Sequence, residues 1–224
     1  MRVRYFVIPN ALEAASMKSP TRAAVIALTA IALSPIAPVP EVLAADASGK
    51  FSIRGAGLLK CSAFVAAREE RSDLYYLVGG WLDGYITARN QFQADTYDAT
   101  TYESSELLLL VMENHCRSHP QDAVFAVVNT LMERIHAERM RAGEPMVTIE
   151  EGERRASLYR QTVHRVRRAL VQRGLLEAPA AGGFDEPVRR ALAAFQKQAG
   201  FEPTGFPDQA TLWRLLSPSP GQGR

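Results

Sequence analysis

The chain has 224 residues, 47% of them hydrophobic, which is enough for one ordinary domain and a smaller second one. Its net charge of +2 is divided unevenly, because residues 46–160 carry 13 basic and 17 acidic side chains whereas residues 161–224 carry 9 and 5. This asymmetry is too small to indicate a nucleic-acid-binding protein, which needs a concentrated basic surface.

The first recognisable pattern along the chain is an export signal. Lys18 and Arg22 precede the apolar run AAVIALTAIALSPIAPVP, and small residues follow at Ala44 and Ala45. Charged, apolar and small-residue segments in this order are typical of a secretory signal peptide. Three prolines between residues 35 and 40 make a retained membrane anchor the less favoured alternative. We predict a signal peptide over residues 1–45, cleavage near Ala44 or Ala45, and a periplasmic or secreted protein without a membrane span.

Residues 46–142 are predicted to form a helical domain, because their apolar residues recur at helical spacing. Ser105 is a candidate N-cap of the third helix, and Pro120 separates this helix from the fourth. The four predicted helices lie around Cys61, from Leu74 to Ala88, from Ser104 to His115 and from Asp122 to Met140.

The chain has two cysteines, Cys61 and Cys116. In an exported protein this even count favours one disulfide, here between the first and third helices, and two buried free thiols are the alternative. Closing a loop of about 55 residues contributes about 4 kcal/mol in the chain-entropy description.

Residues 143–160 are predicted to link two domains. Gly143 to Gly152 is an acidic, proline-containing joint, and the charged run from Glu153 to Arg168 is predicted to be a helix that leads into the C-terminal region. We interpret this run as a solvated helix face, with wall contact as the alternative.

Residues 161–217 show three short helical patterns separated by glycine-containing turns, and residues 218–224 are predicted to be a flexible tail. Gly174 and Gly200 are suited to end the first two helices, and Asp208 is a candidate N-cap of the third. The Gln196 amide, beside the core residue Phe195, is suited to bind the backbone of a loop. The apolar stripes comprise Val163, Val166, Leu170, Val171, Val188, Ala191, Leu192, Phe195, Leu212, Leu215 and Leu216.

The second and third helical patterns of this region contain a recognisable set of residues, namely Ala191-Leu192, Phe195-Gln196, Gly200-Phe201, Thr204-Gly205, Asp208 and Thr211-Leu212. With this set, the region resembles the three-helix peptidoglycan-binding domain of bacterial cell-wall hydrolases and envelope proteins. The sequence departs from that family at Ala181-Gly182, where Asp-Gly is usual, and at Val188, where threonine is usual.

The resemblance implies a ligand, peptidoglycan, and a shallow groove near the start of the second helix of the bundle. Phe184, Asp185 and Arg189 would lie within reach of such a groove. We expect Phe184 to stack on a sugar or apolar peptide face and Arg189 to pair with a peptide carboxylate, provided that its side chain points away from the apolar stripe. A solvated arginine and a core phenylalanine are the alternative.

The middle region is similar to small HdeA-like periplasmic helical domains. The similarity implies helices joined by a disulfide, and that group includes acid-stress chaperones. The similarity therefore leaves open a second partner, another envelope protein, that would bind this region. The similarity rests on Cys61, Trp81-Leu82, Gly84-Tyr85, Ala88, Asn90, His115-Cys116 and Pro120.

No catalytic, metal-binding or cofactor-binding residue is predicted. His115 and His119 have the spacing of zinc ligands on a helix, but no Glu follows His115, and Cys116 is better used in a disulfide. Three acidic residues are interpreted as a solvated helix face rather than as glycan-cleaving acids, namely Glu103, Glu106 and Glu113.

The sequence therefore predicts an all-α fold in which a disulfide-linked helical domain precedes a small three-helix peptidoglycan-binding-like bundle. The favoured function is that of a noncatalytic envelope protein that binds peptidoglycan. A cell-wall hydrolase, or an HdeA-like chaperone or partner-binding module tethered to the wall, is the alternative.

Overall fold

The computed structural model describes residues 45–46, 48–177 and 182–217. The predicted signal peptide and tail lie outside the described residues, apart from Ala45. No helix in the described ranges has the length and apolar character needed to cross a membrane. The helices are α1 Cys61–Glu70, α2 Asp73–Phe92, α3 Ser105–Ser118, α4 Val124–Ile135, α5 Arg160–Gln172, α6 Glu186–Gln198 and α7 Gln209–Leu216, and the strands are β1 Met146–Glu151 and β2 Arg154–Tyr159.

The helices α1 to α4 enclose the first hydrophobic core. The predicted disulfide is present, and it joins Cys61 at the start of α1 to Cys116 near the end of α3. The cap of α3 was predicted one residue too late, because the Ser104 hydroxyl accepts a hydrogen bond from the Leu107 N–H at 3.2 Å. Fully buried side chains of this core include Phe64, Val78, Leu82, Leu108, Met112, Val124 and Met132.

The prediction of a continuous helix from Glu153 to Arg168 is wrong in its first half, where β1 and β2 form an antiparallel hairpin. Gly152 provides the turn with a φ of 58°. Opposite charges face each other across the hairpin, since Arg155 lies opposite Glu150 at 2.5 Å. The fold is thus mostly helical with a small two-stranded sheet, and the all-α prediction is corrected accordingly.

The hairpin packs against α5, α6 and α7 to form a second core. Ile149 and Leu158 are each 2% exposed and belong to the same cluster as the three helices. Alternate strand residues face opposite sides, so these two point inward while their neighbours Thr148, Glu150 and Ser157 are exposed. The helical members of this core include Val163, Val166, Leu170, Val188, Leu192, Phe195 and Leu212.

The segment that precedes α3 contacts the second core directly. The Gln209 side chain accepts a hydrogen bond from the Ser104 N–H at 2.9 Å and donates one to the Tyr102 carbonyl at 2.8 Å. The buried Thr162 hydroxyl donates to the Thr101 carbonyl at 3.1 Å. These side-chain contacts join the two cores within the unit that begins at Lys50.

Candidate functional site

The structure brings the three predicted ligand-binding residues together at the start of α6. Asp185 is the N-cap of this helix, and its carboxylate accepts a hydrogen bond from the Val188 N–H at 3.2 Å. The nearly buried Arg167 donates to the same carboxylate at 3.0 Å and to the Gly183 carbonyl at 2.9 Å. Asp185 therefore holds the loop and the helix start in place. Its carboxylate already accepts hydrogen bonds from within the protein.

The other two predicted residues form a stacked pair. The Arg189 guanidinium carbon lies 5.3 Å from the centre of the Phe184 ring, within the range of a cation–π contact. One terminal nitrogen of Arg189 also donates to the Glu150 carbonyl of β1 at 3.2 Å. Phe184 is half-buried and packs against the second core, while Arg189 is half-exposed.

The guanidinium retains hydrogen-bonding capacity. An arginine has five N–H donors, and within the described residues Arg189 uses one of them, toward Glu150. The contact with the Phe184 ring and the hydrogen bond to Glu150 together restrict where the guanidinium lies. This arrangement suits bidentate recognition of a carboxylate, because a planar donor fork matches two carboxylate oxygens.

The buried Gln196 holds the loop that follows α6. Its amide oxygen accepts from the Gly205 N–H at 2.7 Å, and its amide nitrogen donates to the Phe206 carbonyl at 2.9 Å and to the Thr211 hydroxyl at 3.0 Å. The sequence-based expectation that this amide binds a loop is met in these contacts.

Gly205 belongs to the same arrangement. Its φ is 73°, and a Cβ at this position would lie 2.7 Å from the Arg189 carbonyl oxygen. Only glycine allows the loop after α6 to approach the helix backbone so closely. The loop thereby supports α6 at the residue that carries the candidate ligand-binding guanidinium.

Two contributors to this site were missed from the sequence. Arg167 was assigned to a solvated helix face, but its side chain is only 8% exposed and holds Asp185. Glu150 was placed in a linker, whereas the hairpin brings its carbonyl to Arg189. The alternation of apolar and polar residues around Ile149 and Leu158 was the signal for the hairpin.

The residues considered for metal binding or catalysis have other roles in the structure. His115 pairs with Asp122 at 2.8 Å and stacks on His119 with ring centres 4.4 Å apart. Across the described part of the chain, no group of three or more potential ligands is arranged to hold a metal ion.

The glutamates predicted to form a solvated face are not uniformly exposed. Glu103 is 8% exposed and accepts hydrogen bonds from the backbone N–H groups of Thr101 and Tyr102. Glu113 is 9% exposed and pairs with arginines, so the prediction is wrong for these two. The Glu106 side chain is 66% exposed, as predicted.

The hairpin and α5 to α7 form a small, mostly helical unit that carries the pair of Arg189 and Phe184 on its surface. Residues 159–215 match the family model described as a peptidoglycan binding domain. This match agrees with the resemblance seen in the sequence and associates the C-terminal region with the cell wall. No curated protein and no solved structure matches the chain.

Proposed function

We propose that the protein is a noncatalytic periplasmic or secreted protein that binds peptidoglycan through its C-terminal region. The match of residues 159–215 to a peptidoglycan binding domain carries this proposal. Two of the three glutamates considered for glycan cleavage support the noncatalytic assignment, because Glu103 and Glu113 are buried and engaged in internal contacts.

We further propose that Phe184 and Arg189 form the contact surface, with Asp185 holding the loop in position. In this arrangement Arg189 pairs with a carboxylate of the stem peptide, and the exposed part of Phe184 meets an apolar face of the sugar or peptide. Such a pair weakens as salt screens it.

The test is a sacculus pull-down with the full chain. Arg189→Ala is expected to lower the bound fraction at least fivefold at low salt, because it removes the donor fork. Arg190→Ala is the matched control, since Arg190 is an exposed neighbour that forms a 3.5 Å ion pair with Glu186 one turn away. Thermal melting of each variant verifies that it is folded.

Equal loss of binding in Arg189→Ala and Arg190→Ala would show that net charge, rather than the fixed guanidinium, governs binding. Unchanged binding in both Arg189→Ala and Phe184→Ala, with the fold intact, would place the ligand elsewhere. Failure of the unaltered chain to bind sacculi at any salt concentration would refute the proposed function itself.

A further inference from the structure

A cavity of about 290 Å³ lies in the four-helix region where α1 ends and α2 begins. It lies outside the residues that match the peptidoglycan binding domain. Its volume is at the lower end of the range of ligand pockets, about 300 Å³, and therefore suits a single sugar ring better than a longer chain. The lining residues are Arg68, Arg71, Tyr75, Tyr76 and Glu106.

One part of the cavity wall is held rigidly by ion pairs. Arg68 donates to the Glu106 carboxylate at 2.8 Å and to the Glu113 carboxylate at 2.7 Å, and its other terminal nitrogen donates to the Tyr75 hydroxyl at 3.0 Å. The Tyr75 hydroxyl in turn donates to Glu106. The exposed Glu106 carboxylate is thereby fixed in orientation and keeps acceptor capacity toward the cavity.

Glu106 is an ionised acceptor at neutral pH. Burial opposes its ionisation, but the hydrogen bonds from Tyr75 and Arg68 outweigh that effect, so the pKa of Glu106 lies below its ordinary value. A ligand group that meets Glu106 is therefore a hydrogen-bond donor, such as a sugar hydroxyl or an acetamido N–H.

The other part of the wall is open to a ligand. Within the described residues the Arg71 guanidinium makes no hydrogen bond and no ion pair, although it lines the cavity. Tyr76 is 63% exposed, and its ring meets that of Tyr75 edge to face with the centres 5.3 Å apart. The cavity thus offers a cation and an exposed aromatic ring beside a fixed carboxylate.

The backbone of Arg71 is a second, independent observation. This residue ends α1 in the left-handed conformation, with φ 49° and ψ 39°. Glycine is the usual residue at such a helix end because it adopts this conformation without strain. Strained residues of this kind concentrate at functional sites. The presence of arginine here is explained if its side chain has a ligand.

We propose that this cavity binds a sugar ring that carries a carboxylate. The ring packs against the exposed face of Tyr76, the carboxylate pairs with the Arg71 fork, and a hydroxyl or acetamido group donates to Glu106. A small inorganic anion would pair with Arg71 but would leave the Tyr76 ring and the Glu106 acceptor without contacts. A neutral sugar would leave the Arg71 donors without an acceptor for a hydrogen bond.

The choice of a wall sugar as the probe rests on the proposed function. N-acetylmuramic acid carries a lactyl carboxylate, and N-acetylglucosamine is the same ring without it. Each is titrated into the ¹⁵N-labelled full chain, and amide shifts are followed. We expect the shifts to centre on Arg71, Tyr76 and Glu106, with at least tenfold tighter binding of the acidic sugar.

Arg71→Gly is the decisive variant, because glycine retains the turn and removes the guanidinium. It is expected to weaken N-acetylmuramic acid binding at least tenfold. Arg54→Ala is the matched control: Arg54 is an exposed arginine of the same region that does not line the cavity, and its removal should leave the affinity unchanged. Equal affinity for the two sugars, or undiminished binding by Arg71→Gly, would overturn the proposal.

The two proposals fail separately. Shifts confined to the surroundings of Phe184 and Arg189 would overturn the cavity proposal and leave the proposed function standing. Sacculus binding that survives Arg189→Ala, together with acidic-sugar binding that is lost in Arg71→Gly, would support the cavity and refute the C-terminal contact surface. No shift at any residue with the acidic sugar would overturn the cavity proposal alone.

Discussion

The buried amide of Gln196 provides a direct test of how the C-terminal loop is held. Gln196→Leu replaces the amide with an apolar side chain of similar size, so it removes the hydrogen bonds without opening a large cavity. The residue is fully buried, so no water is available to replace its contacts. The variant therefore isolates the contribution of one amide to the stability of the loop.

The expected loss of unfolding free energy follows from the partners that the lost amide leaves behind. The Gly205 N–H loses the acceptor that lies 2.7 Å away, and a buried donor left without a partner costs about 1–3 kcal/mol. The Phe206 carbonyl still accepts from the Asp208 N–H, and the Thr211 hydroxyl still donates to the Asp208 carboxylate. Each of these two lost bonds costs about 1 kcal/mol. We expect a total loss of about 3–5 kcal/mol in the free energy of unfolding.

Urea denaturation measures this loss as a shift of the transition midpoint at unchanged slope. Gln198→Ala is the matched control, since Gln198 is an exposed glutamine on the same helix, and its change is expected to stay within about 0.5 kcal/mol. A loss below about 1 kcal/mol in Gln196→Leu, with an unchanged slope, would refute the assignment of loop stability to this amide.

Three further predictions concern stability. Replacing Cys61 and Cys116 by alanine opens a loop whose ends are 55 residues apart, and should lower the unfolding free energy in urea by about 4 kcal/mol; a loss below about 1 kcal/mol would contradict the loop-closure argument. Gly200→Ala should cost about 1–2 kcal/mol for its positive φ alone, and Gly205→Ala a further 1–3 kcal/mol or so for the contact with α6; equal thermal shifts would contradict the steric argument. The pKa of Glu106 is lowered from 4.5 in the folded state, so the ionised carboxylate stabilises the fold fully above pH 4.5 and loses this effect as the pH falls through the folded-state pKa. Glu106→Gln should therefore make the free energy of unfolding less dependent on pH in the acid range. Parallel curves of unfolding free energy against pH for the variant and the unaltered chain, from pH 7 to pH 3, would contradict this prediction.

The features that follow from local rules were predictable from the sequence. Asp208 caps α7, and Gly174 and Gly200 end α5 and α6 in the left-handed conformation, because caps and glycine turns depend on a few neighbouring residues. The disulfide between Cys61 and Cys116 followed from counting, since the sequence has two cysteines, which allow one pairing, and the predicted export favours a disulfide.

The features that depend on distant residues were not predictable in this way. Arg68 and Glu106 are separated by 38 residues, and Arg189 and the Glu150 carbonyl by 39. Each pair meets through the packing of whole helices or of the hairpin, and helical periodicity carries no information about such a meeting. The contact of Arg189 with a ligand also depends on more than helical periodicity, and it remains a prediction.

The hairpin has a practical consequence for any attempt to transplant the C-terminal region onto another protein. A fragment cut at residue 161 would discard both strands, and with them Ile149 and Leu158, whose side chains complete the second core. The recipient protein would then carry an exposed apolar surface on α5, and such a surface favours aggregation. A transferable unit should instead begin near Glu144, so that it includes the two strands that cover α5.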